Sequence, residues 1–483
     1  MSQVAEVVTG RTTAEIVAAR DRATSDLVEL RMDYAADIDV AAALAGRSRP
    51  VIFTCRASWE GGRFQGSEEE RLRILGEAIR LGADYVDVEW RADRSHLPRT
   101  RPGQLVLSHH DFAGMPSDLS DRLDAMRALR PDVLKIAVTA SSLRDVLTLK
   151  KATEADRALV AIAMGAAGQV SRLCPARFGS LWTYGGQAGP GQTAPGQASA
   201  RDLVVRYRVR SQSDATVLYG VAGKPLAHSA SPAMHNAALG FLGIDAVYVP
   251  FETDDIDELL ALAEALGVRG LSVTAPLKPA AFRRATRVDP FAGETGSVNT
   301  LLSTPDGWEG RNYDIAGFLA PFARRAFALD GRRAVIVGSG GSARTAAVAL
   351  RSAGARVAIS ARRADAAQAL ADELGVASAA FPPPAGWDLL VNTTPVGTWP
   401  AVDRAPVDGE SVRCGLVYDL IYNPEETRLI ELARQAGART IGGLEMLVGQ
   451  ACHQFRWWTG QEPPEDVMAE AARAFIHEAR ESQ

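Results

Sequence analysis

Across roughly the first 185 residues, short apolar runs rich in β-branched residues alternate with helix-patterned stretches. No other feature restricts the fold so strongly. The runs are EVVTG, DLVELR, PVIFTC, YVDVEW, QLVLSH, VLKIAV, ALVAIAMG and FGSLWTY, with helical patterns between them such as 67–82 and 117–130. Eight strand–helix units in one domain predict a small (β/α)8 barrel, whose chemistry gathers at the C-terminal ends of its strands. Polar residues fall at those ends. Glu29, Arg31 and Asp33 close the second run on one face. Arg56 closes the third and is followed by Glu60. Asp87 and Glu89 close the fourth, and His109 and His110 the fifth. Met164 to Arg172 follow the seventh. Any one of these, taken alone, reads rather as a structural ion pair. Together they line a barrel mouth with charges of both signs, which suits a small, polar, anionic substrate.

Lys135 lies inside the sixth run, VLKIAVTA, and the chain has only five lysines. Burying an ammonium without a partner is costly. Apolar neighbours favour the neutral amine, which is the nucleophile toward a ketone, so Lys135 is a candidate imine former. An imine acidifies the adjacent carbon, and removal of that proton needs a general base. His110 is the candidate, its alternative being a satisfied barrel histidine.

The segments ELRMD (29–33), CRASWEGG (55–62), SHHDF (108–112), LKIAV (134–138), MGAAGQVSR (164–172) and TAPGQ (193–197) occur in this order. With them, residues 1 to about 210 resemble type I 3-dehydroquinate dehydratase. The resemblance implies that Lys135 forms the Schiff base, that His110 shuttles the proton and that Glu60 orients or charge-balances His110. It implies that Glu29, Arg31, Arg56, Arg172, Thr193 and Gln197 hold the substrate's carboxylate and hydroxyls. Arg172 is the best placed for the carboxylate, since a guanidinium grips one through two bonds. Thr193 stands where many bacterial members carry Ser, with the hydroxyl retained.

Residues 186–200, GQAGPGQTAPGQASA, are loop-like; a short helix is expected over about 201–209, and the polar SQSDA (211–215) marks a boundary near 213. Further on, RAVIVGSGGSART (333–345) reads as strand, glycine loop and helix start. Its G-x-G-x-x-A spacing lets a pyrophosphate reach a helix N-terminus. The residues concerned are Gly338, Ser339, Gly340, Gly341, Ser342 and Ala343. The next strand ends in Ala361, Arg362 and Arg363, where an NAD site would usually place an acid for the ribose 2′-hydroxyl. Two arginines suit a 2′-phosphate, so NADP is inferred and no metal is expected. In GVAGKPLAHSASPAMHN (220–236), Ser229 and Ser231 precede a helix, as carboxylate ligands or as caps. GLSVTAPLK (270–278), GSVNTL (296–301) and GRNYDIAGF (310–318) place Lys278, Asn299 and Asp314 on loops. A Lys–Asp pair there either holds a protonated amine beside a developing alkoxide or is a surface ion pair.

These segments, with NTTPVGTWP (392–400), DLIYNPEET (419–427) and GGLEMLVGQACHQFRWWTG (442–460), resemble shikimate dehydrogenase across about 217–483. The resemblance implies Lys278 and Asp314 as the catalytic pair, with Ser229, Ser231, Thr274, Asn299, Tyr422 and Gln450 contacting substrate. Two positions depart from the family pattern. Ser272 replaces Asn, and Tyr313 replaces the Thr before Asp314, where a bulky ring could reshape the pocket.

The expected architecture is α/β: an N-terminal (β/α)8 barrel fused to a two-lobed α/β dehydrogenase with a Rossmann-type nucleotide lobe. The barrel takes 1–213, the substrate lobe 216–317, the nucleotide lobe 318–437, and a helical segment, 438–483, returns to the substrate lobe. The two halves read as consecutive steps. 3-Dehydroquinate is dehydrated to 3-dehydroshikimate, which NADPH then reduces to shikimate. Alternatives are an NAD-dependent quinate/shikimate dehydrogenase in the second half, another imine-forming lyase or aldolase in the first, or one half being a non-catalytic module. A net charge of −5 with dispersed arginines points away from nucleic acid. Four scattered cysteines point away from a metal site or disulfide framework. No leader-like start or long apolar stretch is present, so a cytoplasmic protein without membrane contact is expected. Oligomeric state is not legible.

Overall fold

The computed structural model describes residues 2–99, 101, 103–186 and 198–481. It forms two compact units, Met1–Leu226 with Asp245–Val268, and Ala227–Ile244 with Arg269–Gln483.

In the first unit, eight parallel strands form one sheet. They are β1 (Gln3–Val8), β2 (Leu27–Arg31), β3 (Val51–Thr54), β4 (Tyr85–Glu89), β5 (Leu105–Asp111), β6 (Val133–Thr139), β7 (Leu159–Met164) and β8 (Trp182–Gly185). Each pairs with its neighbour in sequence from β1 to β7, and β8 lies beside β1. A bridge from Leu159 to Ser180 brings the remaining edges together and nearly closes the barrel. The strands read as continuous apolar runs because both faces are covered. One cluster fills the interior, including Val7, Ile52, Val106, Ile162, Trp182 and Tyr184. Another packs strand exteriors against helices, including Val8, Ile16, Leu30, Phe53, Leu75 and Val88.

Two boundaries differ from expectation. The first strand ends at Val8, because Thr12 caps the helix Thr13–Arg22 and so draws Thr9 and Gly10 into its approach. The helix expected over 201–209 stops at Val205, and Arg208 takes a left-handed φ of 50° before a 3-10 turn at Val209–Ser211. The same unit contains the parallel pair β9 (Val217–Gly223) and β10 (Ala246–Glu252).

The second unit holds a mixed set of strands and a parallel sheet. β11 (Val268–Val273), β12 (Arg287–Val288), β13 (Thr300–Thr304) and β14 (Gly307–Arg311) form the first, with β13 antiparallel between β11 and β14 and β12 parallel beside β14. The second runs β17-β16-β15-β18-β19-β20. Its strands are β15 (Arg333–Val337), β16 (Arg356–Ser360), β17 (Ala377–Ser378), β18 (Leu389–Asn392), β19 (Leu416–Asp419) and β20 (Arg439–Ile441). The sheet order doubles back at β15, the switch point where open α/β sheets bind ligands. The helix Gly443–Thr459 packs on Asp314–Arg324 through a glycine contact; a Cβ on Gly317 would lie 2.6 Å from the Gln450 nitrogen. The helix Glu465–Glu481 packs on Ser231–Phe241. Among the described residues no helix is long and apolar enough to cross a membrane.

Candidate active sites

Lys135 projects from β6 into the barrel and is 3% exposed. Its surroundings are not apolar, contrary to the expectation from its sequence neighbours. Those neighbours alternate with it along the strand, so they face both ways and do not define what Nζ meets. Nζ lies 2.8 Å from Asp87 Oδ2 and 3.4 Å from Glu29 Oε1, and 4.3 Å from the Tyr184 ring centre. Burial alone would favour the free amine, but the Asp87 and Glu29 carboxylates outweigh it and hold Lys135 above its ordinary range. The site therefore stores an ammonium.

Asp87 is itself fastened. Arg56 donates to Asp87 Oδ2 at 2.9 Å, to Glu89 Oε1 at 3.0 Å and to Ser108 Oγ at 2.7 Å. Burial would raise the Asp87 carboxyl, but Arg56 and Lys135 pull it well below the carboxylate range. Glu89 also accepts from Arg71 at 2.6 Å, a guanidinium reaching in from the helix Glu68–Arg80. Arg56 and Glu29 thus act on Lys135 in the unliganded barrel, Glu29 also accepting from Thr54 at 2.9 Å. Arg31 is held by Asp33 through two 2.9 Å bonds.

Glu60 bridges both histidines. One oxygen is 3.1 Å from His109 Nδ1 and the other 3.1 Å from His110 Nδ1. Arg122 can only donate, and it lies 2.9 Å from His109 Nε2. His109 therefore carries its proton on Nδ1 and gives it to Glu60. His110 likewise directs Nδ1 at the carboxylate, which leaves Nε2 as its free basic nitrogen. Burial, then Arg56 and Lys135, push the His110 imidazolium well below its usual range, so the ring is neutral near pH 7. Burial raises the Glu60 carboxyl.

Arg172, on the short helix Gln169–Leu173, is buried, and no carboxylate pairs with it among the described residues. Its one hydrogen bond there goes to the Tyr184 carbonyl at 3.4 Å. Burial pulls its pKa down to about 10. An unpaired buried guanidinium is costly, and its fork of N–H donors has the geometry to take a carboxylate through two bonds. Thr193 and Gln197 lie outside the described residues.

In the second unit, Lys278 begins the helix Lys278–Arg284 and donates to Asp314 Oδ2 at 2.5 Å. Asn299 Nδ2 donates to Asp314 Oδ1 at 2.8 Å and to Gln450 Oε1 at 3.4 Å. Thr274, Lys278, Asp314, Gly341 and Ser342 line one cavity of about 470 Å³. Tyr422 lines a neighbouring cavity of about 450 Å³ with His228, Thr394 and Asn423, and Ser342 borders both. Ser229 and Ser231 stand at the start of the helix Ser231–Phe241, where Ser229 Oγ accepts from the Ser231 N–H at 3.4 Å; neither bonds to Lys278 or Asp314. The Tyr313 ring does not intrude on the pair. It stacks on His453 at 5.5 Å, meets the Trp457 edge at 5.9 Å and takes a bond from Arg311 at its hydroxyl.

Gly338 has φ 124°, and a Cβ there would meet Thr393 Oγ1 at 2.4 Å, so the turn accepts only glycine. Gly338, Ser339 and Gly340 line a cavity of about 310 Å³ with Ala361, Arg362 and Arg363. Gly340 caps the helix Gly341–Ser352, in which Ala343 is fully buried against the sheet. Both arginines are exposed and neither is ion-paired among the described residues. The cradle fits a phosphorylated dinucleotide: backbone N–H groups at the helix start, and two guanidinium groups lining the same cavity.

Asp87, Arg71, Ser108 and Tyr184 complete the first site, and Gln454 the second. Asp87 was visible as a strand-end acid. Ser108, Tyr184 and Gln454 lie within quoted segments without being singled out there, and Arg71 belongs to no quoted motif.

The two sites define a class: a fused chain joining a Schiff-base (β/α)8 lyase to a nicotinamide-dependent oxidoreductase. Comparison with known proteins narrows it. The model for type I 3-dehydroquinase matches residues 4–214, that for the shikimate dehydrogenase substrate binding domain 221–301, and that for the shikimate 5′-dehydrogenase C-terminal domain 443–473. The chain is 32% identical over 476 residues to the chloroplastic bifunctional 3-dehydroquinate dehydratase/shikimate dehydrogenase of Arabidopsis thaliana, covering 92% of this chain and 79% of the relative. It is 44% identical over 275 residues to the shikimate dehydrogenase (NADP(+)) of Anaeromyxobacter sp. (strain Fw109-5), covering 54% of this chain and 96% of that one. Shikimate 5-dehydrogenase from Thermus thermophilus, solved with NADP(H) and shikimate, superposes with a TM-score of 0.50 at 36% identity, covering 54% of this chain and 99% of that one. The chain belongs to the bifunctional 3-dehydroquinate dehydratase/shikimate dehydrogenase family, and is a lyase and oxidoreductase of the shikimate pathway.

Proposed function

We propose that the segment 1–213 dehydrates 3-dehydroquinate and that 216–483 reduces the resulting 3-dehydroshikimate with NADPH. Within the second part, 216–317 and 438–483 form the substrate lobe and 318–437 the nucleotide lobe. The observation that carries this reading is one chain holding two different lysine–carboxylate centres. Lys135 is buried in a barrel beside a neutral histidine, and Lys278 lines a cavity shared with the start of the glycine-loop helix.

In the barrel, Arg172 takes the substrate carboxylate and so places the ketone at Lys135. The ammonium first gives up a proton, for which Glu29 is the adjacent acceptor. The amine adds to the carbonyl carbon, water leaves, and a protonated imine forms. The carboxylates that held the ammonium now keep the imine protonated, the form that serves as the electron sink. His110 Nε2 removes the proton from the adjacent carbon. The electron pair enters the imine as an enamine, then returns to expel the β-hydroxyl. That hydroxyl takes the proton from His110 and departs as water. A second water hydrolyses the imine and frees Lys135, so the net change is loss of one water.

In the second site, Gly338, Ser339, Gly340 and the first turn at Gly341 and Ser342 would hold the pyrophosphate, and Arg362 and Arg363 the 2′-phosphate. NADPH supplies the hydride when bound. Lys278 holds a proton for the carbonyl oxygen as negative charge develops on it, and Asp314 keeps that ammonium in place. Thr274, Asn299, Tyr422 and Gln450 are proposed to orient the ring hydroxyls and carboxylate, with Ser229 and Ser231 at the entering helix.

The test is a coupled assay of the whole chain with 3-dehydroquinate and NADPH, following shikimate. Lys135→Ala should abolish dehydration and leave reduction of supplied 3-dehydroshikimate intact; Lys278→Ala should do the reverse. Loss of both activities from either change, or turnover with NADH equal to that with NADPH, would overturn the assignment.

A further inference from the structure

Asn299 could present either end of its amide to Asp314, and only one end helps. We infer that Gln454, with Ser272 and Thr300, is a positioning residue that fixes the Asn299 amide and thereby keeps a donor on the Asp314 carboxylate. This rests on the reading of Lys278 and Asp314 as the catalytic pair.

The directions of the bonds follow from groups that cannot reverse. The Tyr313 backbone N–H donates to Asn299 Oδ1 at 2.9 Å, so the other end of that amide is the nitrogen facing Asp314. Thr300 Oγ1 is 2.7 Å from the same Oδ1, and therefore donates to it. The Thr300 hydroxyl has then spent its hydrogen and accepts from Gln454 Nε2 at 3.0 Å. Gln454 Nε2 also donates to the Asn299 carbonyl at 3.3 Å, which sets its own orientation independently. Gln454 Oε1 is left as an acceptor, and Ser272 Oγ donates to it at 2.7 Å. The chain runs one way from β11, through the helix Gly443–Thr459, to Asp314. Every member before Asp314 is buried: Ser272 7%, Gln454 1%, Thr300 0% and Asn299 2% exposed. In a dry setting a reversed amide has no water to correct it, so the order of donors is enforced.

The arrangement also accounts for Ser272. A short hydroxyl on β11 reaches Gln454 and donates to it without displacing the helix. The site tolerates this departure because the donor that matters to Gln454 is preserved.

The charged and titratable groups around Asp314 and the residues leading to it are Lys278, which pairs with it; Arg344 across the cavity, itself held by Glu373; Tyr313, which stacks on His453 and is bound by Arg311; and buried His235, which bonds Gln454 and loses that partner in Gln454→Leu but keeps it in Thr300→Val. None of them is altered in the variants below.

The experiment compares Thr300→Val, Thr300→Ser, Gln454→Leu and Asp314→Asn in the full chain, reading shikimate oxidation with NADP across pH. The dehydratase rate of the same preparation and NADP binding by fluorescence report intact protein. Thr300→Val keeps the shape of the side chain and removes the link, while Gln454 retains its bond to the Asn299 carbonyl. Expected for Thr300→Val and Gln454→Leu is a fall in kcat of about 3- to 10-fold, the scale of one neutral hydrogen bond. The acid limb of the kcat/KM profile should move toward neutral pH, because an Asn299 amide held only by the Tyr313 N–H donates less firmly to the carboxylate. Thr300→Ser should restore both. Unchanged kcat and profile in Thr300→Val and Gln454→Leu overturn the inference, as does an equal loss in Thr300→Val and Thr300→Ser with an unmoved profile. An active Asp314→Asn would instead overturn the reading of the catalytic pair beneath it.

Discussion

Lys135 holds its ammonium 2.8 Å from the Asp87 carboxylate, and that contact reverses what burial alone does to an amine. Asp87→Asn should therefore release the free amine at lower pH. The readout is borohydride trapping of the 3-dehydroquinate imine on Lys135 as a function of pH. Its half-point should move down, while turnover falls because the iminium loses a stabilising charge. A half-point unmoved by the substitution would rule out Asp87 as the group that sets the amine's protonation.

The same pair links stability to pH in a defined direction. Asp87 is held below its unfolded value, so its contribution is complete above about pH 4 and is lost as pH falls. Lys135 is held above its unfolded value, so its contribution is complete at neutral pH and is lost only as pH rises through the alkaline range. Removing one partner of a buried, hydrogen-bonded pair costs about 3–5 kcal/mol. Asp87→Asn should lower the barrel's Tm at pH 7 and flatten its dependence on pH below 4. Parallel melting curves across pH would contradict this.

Glu60 accepts from Nδ1 of two histidines at once, which leaves the basic Nε2 of His110 free. In Glu60→Gln the amide offers a donor that a protonated Nδ1 cannot accept. His110 is then driven to the other tautomer, with its proton on the nitrogen needed as base. Elimination should slow by about 10²- to 10⁴-fold, the range for a lost general base, while imine trapping on Lys135 persists. For the unaltered chain, burial and two cations keep His110 neutral well below its usual range. The acid limb of dehydratase kcat/KM should lie clearly below pH 6.5, and a limb at or above that value would remove His110 from the role.

How much of this was legible in the sequence depended on distance along the chain. Lys135, His110 and Glu60 were readable because each sits at a strand end that the barrel repeat brings to one mouth. Asp87 and Glu89 were visible there too. Their partners were not, because a partner is chosen by side-chain reach across the barrel, which spacing along a strand does not encode. Arg71 reaches Glu89 from a helix, and it read as one more surface arginine. The apolar neighbours of Lys135 were misleading for a related reason: alternation sends Leu134 and Ile136 to the opposite face, and the carboxylates that meet Nζ come from other strands, so the run does not describe the ammonium's surroundings. Tyr313 read as a threat to the pocket, and its ring instead lies on a helix some 140 residues later in sequence. Gln454 meets Thr300 across the same kind of separation.

Arg172 is buried with no counter-ion among the described residues, which costs the unliganded barrel stability and prepares it for a carboxylate. Arg172→Met should raise the Tm of the unliganded protein and weaken substrate binding together. Loss of a charged hydrogen-bonded contact is worth about 1.5–3 kcal/mol, or roughly 10- to 150-fold in KM for 3-dehydroquinate. Calorimetry without substrate and steady-state kinetics check the two halves. A variant that binds weakly and is also less stable would show that Arg172 has a structural partner and is not the waiting receptor.

Arg362 and Arg363 stand at the glycine-loop cavity without an ion-pair partner among the described residues, where a 2′-phosphate would lie. Exposed arginines that bind a phosphate contribute through charge, so their effect should be specific to the phosphorylated cofactor and sensitive to salt. The double substitution Arg362→Ala with Arg363→Ala should weaken NADPH binding by about 10- to 150-fold and leave NADH binding within about 2-fold, since two exposed, solvent-screened arginines together contribute about 1.5–3 kcal/mol to a phosphate. Fluorescence titration of each nucleotide measures this without turnover, and the NADPH curve for the unaltered chain should weaken as salt rises. Equal losses for both nucleotides would mean that the arginines support the fold of the loop and do not read the phosphate.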